Sequence, residues 1–157
     1  MDREQIVQQV RDALGDKIKR LHVANPRRVY VTVEPGDVVE ATRILHKDLG
    51  ARFNIASGMQ TQTDFEVLYH FAFEEEAPNG VLVTVRVHLD HENPSVDSVV
   101  GSVPAARWIE QEMNELLGIE FRNHPEMKRL LLSEDWPKGV YPLRHGKPWE
   151  GKIKLRL

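Results

Sequence analysis

The sequence predicts a single α+β domain in which an antiparallel β-meander packs on helices, followed by an extended C-terminal tail. Segments with helical spacing of apolar residues flank three consecutive strand-like segments in the middle of the chain. Proline and glycine become frequent after Leu132. The 157 residues suffice for one domain with a substantial core, and a second domain would be cramped. We therefore expect one domain over residues 1–132 and a tail over residues 133–157.

Two helices and one strand are predicted in the first fifty residues. The run RVYVTV at residues 28–33 is typical of a β-strand. Gly15 and Gly50 follow the two periodic segments and are suited to helix C-termini. The apolar residues at helical spacing are Ile6, Val7, Val10 and Leu14 in the first helix and Val38, Ala41, Leu45 and Leu49 in the second.

The middle of the chain predicts the meander. The segments ARFNIASGMQ, DFEVLYHFAFE and GVLVTVRVHLD are strand-like, and Asn79-Gly80 between the last two is a hairpin signal. The third segment places Val81, Val83, Val85, Val87 and Leu89 on one face and mostly polar residues on the other. One face of the sheet should therefore meet helices and the other water.

A carboxylate lies at an unexpected position in the helix predicted from Pro104 to Leu117. At about 100° per residue, Glu112 falls in the middle of an apolar stripe and Glu110 faces solvent. A carboxylate facing the core is costly unless it is hydrogen-bonded or paired. The stripe comprises Ala105, Trp108, Ile109, Met113 and Leu116.

Composition excludes several classes of protein. The absence of cysteine removes disulfides, Cys-ligated zinc, iron–sulfur clusters, thiolate-bound nickel and cysteine nucleophiles. Glycine-rich phosphate-binding patterns are also absent, so the sequence predicts no cofactor. No apolar run approaches the roughly 20 residues of a membrane-spanning helix, and the N-terminal residues are unlike a signal peptide. These features predict a cytoplasmic protein.

The predicted tail is basic, whereas the body is acidic. From Lys138 onward, six lysines and arginines accompany Glu150 alone, which gives +5 against −8 for residues 1–137. The tail also carries Trp136, Val140, Tyr141, Leu143 and Trp149, and a disordered segment rarely has so many apolar residues. A partner protein is the simplest source of a surface for these side chains.

Other functions leave weaker signals. His88, Asp90 and His91 end a strand and could bind a metal, although alternation places His91 on the opposite face from the other two. The basic tail could contact nucleic-acid phosphates, but its charges are spread among prolines. Asn123 or His124 could cap a short helix opened by Pro125. Glu110, Glu112 and Glu115 do not define a catalytic pocket.

The order of residues from Trp108 to Gly146 resembles the signature of the thirty-kilodalton subunit family of respiratory NADH dehydrogenase (complex I). It also resembles the matching small subunit of membrane-bound, energy-converting nickel-iron hydrogenases. The likeness covers about residues 60–146, and Gln111, Glu115 and the two residues after Arg144, His145 and Gly146, depart from the family pattern. The matching residues are Glu110, Glu112, Gly118, Ile119, Phe121, His124, Pro125, Arg129, Trp136, Pro142, Leu143 and Arg144.

The resemblance implies a subunit with no redox centre and no activity of its own. It would pack against the large, hydrogenase-like subunit and other peripheral-arm subunits, on the cytoplasmic face of the inner membrane. It implies neither nucleic-acid binding nor a membrane span. The compact length looks slightly more like the hydrogenase branch than the quinone-reducing branch. The alternative is a free-standing metal-binding or nucleic-acid-binding domain that uses His88, Asp90 and His91 or the basic tail.

Two groups of functional residues follow from the resemblance. In the first group, we expect Glu112 to accept a charged hydrogen bond from Arg129, or else from Arg144, and so to hold the segment after the helix in place. The second group would dock the partner. The structural group is Glu110, Glu112, Glu115, Gly118, His124, Pro125 and Arg129, and the docking group is Trp136, Tyr141, Pro142, Leu143, Arg144 and Trp149.

Overall fold

The fold is known from a computed structural model that describes residues 2–73 and 80–145. It has the predicted α+β class, with three helices and seven strands in these ranges. A π-helical turn, Ile44–Asp48, extends the second helix. In chain order the elements are α1 (Arg3–Leu14), β1 (Arg20–Asn25), β2 (Arg28–Val33), α2 (Val38–Arg43), β3 (Arg52–Gln60), β4 (Phe65–Phe73), β5 (Val81–Leu89), β6 (Ser95–Asp97), α3 (Arg107–Leu117) and β7 (Glu120–Arg122).

The main sheet contains the predicted meander and a hairpin that the sequence did not indicate. Its strand order is β1-β2-β5-β4-β3, and β3, β4 and β5 pair antiparallel in succession. Strand β2 runs parallel to β5, and β1 pairs antiparallel with β2 at the sheet edge. Strand β1 was not predicted, because its side chains are mostly exposed and lack apolar alternation. Asn79 of the predicted hairpin turn lies outside the described residues.

One face of the sheet packs on the helices, as alternation in the sequence predicts. The helices contribute Ile6, Val10 and Leu14 from α1 and Val38 and Ala41 from α2. Asp2 and Gln5 form a capping box at the start of α1. The buried sheet residues on this face are Val29, Val31, Val33, Phe65, Val67, Tyr69, Phe71, Phe73, Val81, Val83, Val85, Val87 and Leu89.

The C-terminal third of the described chain is arranged around α3. The helix packs against β3, where Gly58 leaves room for Met113 and Leu117: a Cβ at Gly58 would lie 2.9 Å from the Met113 sulfur. The short strand β7 then pairs in parallel with β6 and directs the chain back towards the start of α3. Within the described ranges, no helix has both the length and the apolar character to cross a bilayer.

Candidate docking surface

Helix α3 is rotated relative to the orientation that its periodicity predicts. Glu110 is completely buried, whereas Glu112 is only half-buried, so the prediction that Glu112 faces the core was wrong. Trp108, which periodicity placed in the core stripe, is 70% exposed. The close approach of Met113 and Leu117 to Gly58 fixes this rotation. The helix consequently buries polar side chains and leaves a tryptophan on the surface.

Glu110 is the centre of a buried hydrogen-bond network. Its Oε1 accepts hydrogen bonds from the Tyr69 hydroxyl and the Val99 N–H, each at 3.0 Å. Its Oε2 accepts one from the Ser98 hydroxyl at 2.5 Å. Burial raises the pKa of the Glu110 carboxyl, and the hydrogen bonds from Ser98, Val99 and Tyr69 oppose that shift. The carboxylate therefore joins α3 to the sheet and to the loop that precedes it.

His124 and Pro125 begin a segment that runs beside α3 and does not form the predicted short helix. The His124 side chain is 1% exposed, and its Nε2 lies 3.0 Å from the Arg107 carbonyl oxygen and 3.9 Å from Glu110 Oε2. Its Nδ1 accepts the Glu126 N–H at 3.1 Å, so Nε2 carries the hydrogen that points to Arg107. His124 thus caps no helix and holds the following segment against the first turn of α3.

Glu115 holds the same segment from the last turn of α3. Its carboxylate accepts the backbone N–H groups of Leu130, Leu131 and Leu132 at 3.2, 2.9 and 2.8 Å. Between these two anchors, the Gln111 amide donates to the Glu126 carbonyl oxygen. Buried polar side chains of α3, together with His124, therefore determine the path of residues 124–132.

The expected ion pair between Glu112 and Arg129 is not formed. Arg129 Nη1 donates instead to the Ser133 carbonyl oxygen at 2.8 Å, and the described residues offer Glu112 no hydrogen bond or ion pair with Arg129 or Arg144. The prediction failed because it started from the wrong face of α3. The carboxylates that hold surrounding segments are Glu110 and Glu115, and their partners are hydroxyl and backbone groups.

The end of α3 is enclosed by the first part of the predicted tail. Gly118 has φ +71°, and a Cβ there would lie 2.5 Å from the Tyr141 ring. Arg144 Nε donates to the Leu117 carbonyl oxygen at 2.6 Å, and its guanidinium lies over the Phe65 and Tyr141 rings. These contacts satisfy the free carbonyl end of the helix. Up to residue 145, the surface on which the tail lies is that of its own domain.

We expect Gly118→Ala to destabilise the protein, because Gly118 has a left-handed backbone conformation and because the added Cβ would collide with the Tyr141 ring. The left-handed conformation costs about 1 kcal/mol for a residue with a Cβ, and the contact with Tyr141 adds roughly 1 kcal/mol. Gly139→Ala is the matched control, since Gly139 has φ +76° and, apart from its chain neighbours, no described residue has an atom within 4 Å of the point that a Cβ would occupy. Denaturant unfolding should show the larger loss at Gly118, and equal losses at both positions would contradict the Tyr141 contact.

The docking residues predicted in the tail have different environments. Trp136 is partly buried and donates through Nε1 to the Val140 carbonyl oxygen at 2.8 Å. Leu143 is more than half exposed, although its N–H donates to the Leu116 carbonyl oxygen. Pro142 is half-buried. Trp149 lies outside the described residues, as do the four basic residues after His145.

The structure does not bring the predicted metal ligands His88, Asp90 and His91 together. Asp90 Oδ1 accepts the N–H groups of Glu92 and Asn93 in a turn. His88 Nδ1 lies 2.7 Å from Asp64 Oδ2, and potential ligand atoms of Asp64, Glu66 and His88 lie within 4.8 Å of one another.

This second trio already has partners. Asp64 Oδ1 accepts the Thr61 hydroxyl at 2.5 Å, and Glu66 Oε2 lies 3.5 Å from Arg86 Nε. An ion pair between β4 and β5 and hydrogen bonds of the turn before β4 account for the trio.

Five large apolar side chains are exposed on or beside α3, and we term them the apolar strip. Trp108 is 70% and Leu131 58% exposed. Leu143 was predicted from the sequence as a docking residue, but Trp108 was placed in the core stripe and the other three were not identified. Tyr69 and Ser98, which hold Glu110, also carried no sequence signal, since Tyr69 is 41 residues from its partner. The strip consists of Trp108, Met127, Leu130, Leu131 and Leu143.

Known proteins match this chain over most of its length. The family described as the 30-kilodalton subunit of respiratory-chain NADH dehydrogenase matches residues 31–152. The C subunit of NADH-quinone oxidoreductase from Roseiflexus sp. (strain RS-1) is 33% identical over 155 residues, which cover 94% of this chain and 85% of that protein. The beta subunit of the membrane-bound hydrogenase from Pyrococcus furiosus is 28% identical over 118 residues, which cover 74% of this chain and 68% of that protein.

A solved structure shares the fold. It is a chain in the membrane-bound sulfane sulfur reductase, an archaeal respiratory membrane complex, and the alignment has a TM-score of 0.77 at 20% identity. The alignment covers 98% of this chain and 94% of that one.

Proposed function

Because this chain belongs to the family of the 30-kilodalton subunit of respiratory-chain NADH dehydrogenase, we propose that it is a non-catalytic docking subunit of a membrane-associated oxidoreductase complex. The complex is of the quinone-reducing or the nickel-iron hydrogenase type. The chain packs against its large subunit and supports electron transfer coupled to ion translocation. One relative is named as a subunit of NADH-quinone oxidoreductase and another as a subunit of a membrane-bound hydrogenase, and this supports the proposal.

The apolar strip is the observation that carries this proposal. Exposed tryptophan and leucine side chains on and beside one helix are typical of protein–protein contacts, and tryptophan is frequent among the residues that dominate binding energy. The strip is also rigidly presented, since Glu115 holds the backbone of Leu130 and Leu131 and α3 carries Trp108. A preorganised surface loses less conformational entropy on binding than a mobile one.

The composition agrees with a role in assembly. The sequence has no cysteine, so it has no thiolate with which to hold an iron–sulfur cluster or a nickel ion. In this proposal the redox centres belong to other subunits, and the chain lies peripherally on the cytoplasmic face of the membrane. Residues 133–157 act as the docking tail of the domain formed by residues 1–132, and Trp136, Tyr141, Pro142, Leu143, Arg144 and Trp149 belong to that tail.

Removing two members of the apolar strip tests the proposal. We expect Trp108→Ala combined with Leu131→Ala to weaken association with the large subunit by roughly tenfold or more. Folding should change little, because both side chains are mostly exposed. Association would be measured by titrating the tagged full-length chain with the purified large subunit, and folding by thermal unfolding.

Val23→Ala provides the control, since Val23 is an exposed apolar residue on edge strand β1. This variant should associate like the wild type. Unchanged affinity in the Trp108 and Leu131 variant would show that the apolar strip is not the docking surface.

A further inference from the structure

A basic notch lies beside the apolar strip, at the C-terminal end of α3. It is a half-open cavity of about 240 Å³ between α3 and the two segments that follow the strand β7. Three cationic side chains, Lys128, Arg129 and Lys138, line it together with the rings of Trp136 and Tyr141. The notch thus combines positive charge with aromatic walls.

The cations of the notch retain unused donors. Arg129 Nη1 donates to the Ser133 carbonyl oxygen, which fixes the guanidinium. Its Nε and Nη2 form no hydrogen bond with any described residue. Lys138 likewise has no hydrogen bond or ion pair in the described part of the chain. Lys128 differs, because its ammonium is bound to Glu126 Oε1 at 2.7 Å. Arg129 and Lys138 are therefore the charges available to a ligand.

The single acidic residue that lines the notch, among those described, does not offer its oxygens to these cations. Both oxygens of Glu115 accept backbone N–H groups from Leu130 to Leu132. The carboxylate is thus engaged within the chain, and the lining retains a net positive charge. Electrostatic complementarity favours an anionic ligand at such a site.

The walls of the notch strengthen that preference. The Trp136 indole is held by its hydrogen bond to the Val140 carbonyl oxygen at 2.8 Å, and the Tyr141 ring is fixed between Gly118 and Arg144. Aromatic walls exclude water, and a charge-assisted hydrogen bond is stronger in such an environment than in bulk solvent. Arg129 also presents a planar guanidinium, which suits a carboxylate.

We propose that the notch receives an aspartate or glutamate side chain of the large subunit, next to the apolar contact made by the strip. This inference rests on the proposed function and specifies the chemistry of the contact. The position of the notch supports it: Leu130 and Leu131 of the strip directly follow Arg129, so one partner segment with neighbouring acidic and apolar residues reaches both. The charged contact sets register and orientation, and the strip supplies apolar burial.

Neutralising both available cations tests the inference. The full-length chain with Arg129→Gln and Lys138→Gln should bind the purified large subunit roughly tenfold more weakly at low salt. Wild-type binding should weaken as the sodium chloride concentration rises, whereas binding by this variant should depend much less on salt. Arg11→Gln with Lys47→Gln is the matched control, since it removes two exposed positive charges away from the notch. The control should keep the wild-type affinity and salt dependence.

The other outcomes separate this inference from the proposed function. If the Arg129 and Lys138 variant binds the large subunit with the same affinity and salt dependence as wild type, the proposal that the notch is a carboxylate site is overturned. If the Trp108 and Leu131 variant loses binding at the same time, the docking function still stands. If neither variant loses binding, both proposals fail. Phosphatidylglycerol vesicles provide a further comparison. If the Arg129 and Lys138 variant loses vesicle binding that wild type and control retain, but still associates with the large subunit, the notch binds a lipid surface and the carboxylate proposal is overturned.

Discussion

Glu110→Ala is expected to lower the free energy of unfolding by about 4 kcal/mol, the largest effect expected of any single substitution proposed for this protein. The substitution removes a fully buried carboxylate that accepts bonds from Tyr69, Ser98 and Val99. Those donors would remain in the protein interior without an acceptor, and each unsatisfied group carries a desolvation cost. Urea unfolding at neutral pH, followed by circular dichroism, measures the loss.

Glu112→Ala is the matched control on the same helix. Glu112 is half-buried, and its removal should lower the free energy of unfolding by less than about 1 kcal/mol, because no buried donor in the described part of the chain loses its acceptor. The periodicity of the sequence predicts the opposite order of effects, with Glu112 as the sensitive position. A larger loss for Glu112→Ala than for Glu110→Ala would contradict the observed rotation of α3.

The Glu110 carboxyl should also make stability depend on pH. Burial raises its pKa above the ordinary value of 4.5. At a pH between 4.5 and the raised pKa, the folded protein therefore binds more protons than the unfolded chain. The contribution of this group is therefore fully present below pH 4.5 and declines as the pH rises through the raised pKa. Glu110→Gln removes the titrating group. The difference in unfolding free energy between wild type and Glu110→Gln should accordingly fall with rising pH over this range, and a constant difference would contradict the shift.

Glu115→Ala is expected to cost about 3 kcal/mol of stability and to impair assembly as well. The carboxylate is buried and holds three successive backbone N–H groups, from Leu130 to Leu132. Without it, these groups lose their common acceptor, and the segment that presents Leu130 and Leu131 is no longer fixed against α3. Thermal unfolding measures the first effect, and titration with the large subunit measures the second.

Glu115→Asp separates the carboxylate from the length of the side chain. Aspartate keeps the carboxylate acceptor with one methylene fewer. We expect this variant to retain most of the stability and most of the assembly. A loss as large as that of Glu115→Ala would show that the three hydrogen bonds are not what holds the segment.

The secondary structure of this protein was largely predictable, because its strands and first two helices are built from regular apolar patterns. Val81 to Leu89 alternate and are buried on one face, as predicted. Strand β1 was missed because an exposed edge strand has little apolar alternation, and its place in the sheet depends on backbone pairing with β2. The short helix predicted after Asn123 was also wrong, since the backbone there is held by side chains of α3, a contact that local sequence does not encode.

The candidate site was predicted only in part. Its location around α3 and the following segment followed from the signature residues, including Glu110, Glu115 and His124. The roles within it did not follow, because the helical wheel ranked side chains by polarity and so assigned Trp108 to the core. The structure reverses that assignment, with Glu110 buried and Trp108 exposed.

By itself the sequence determined the α+β class, the central meander, the absence of thiol chemistry and the family signature, since each depends on local pattern or on composition. Only the tertiary structure decided which carboxylates are buried. Burying Glu110 is tolerable because Tyr69 and Ser98 supply hydroxyl donors from outside the helix. The rotation of α3 likewise depends on the space above Gly58, 55 residues before Met113. The free energies of burying Glu110 and of rotating α3 depend on contacts between distant segments. Periodicity within one helix carries no information about such contacts.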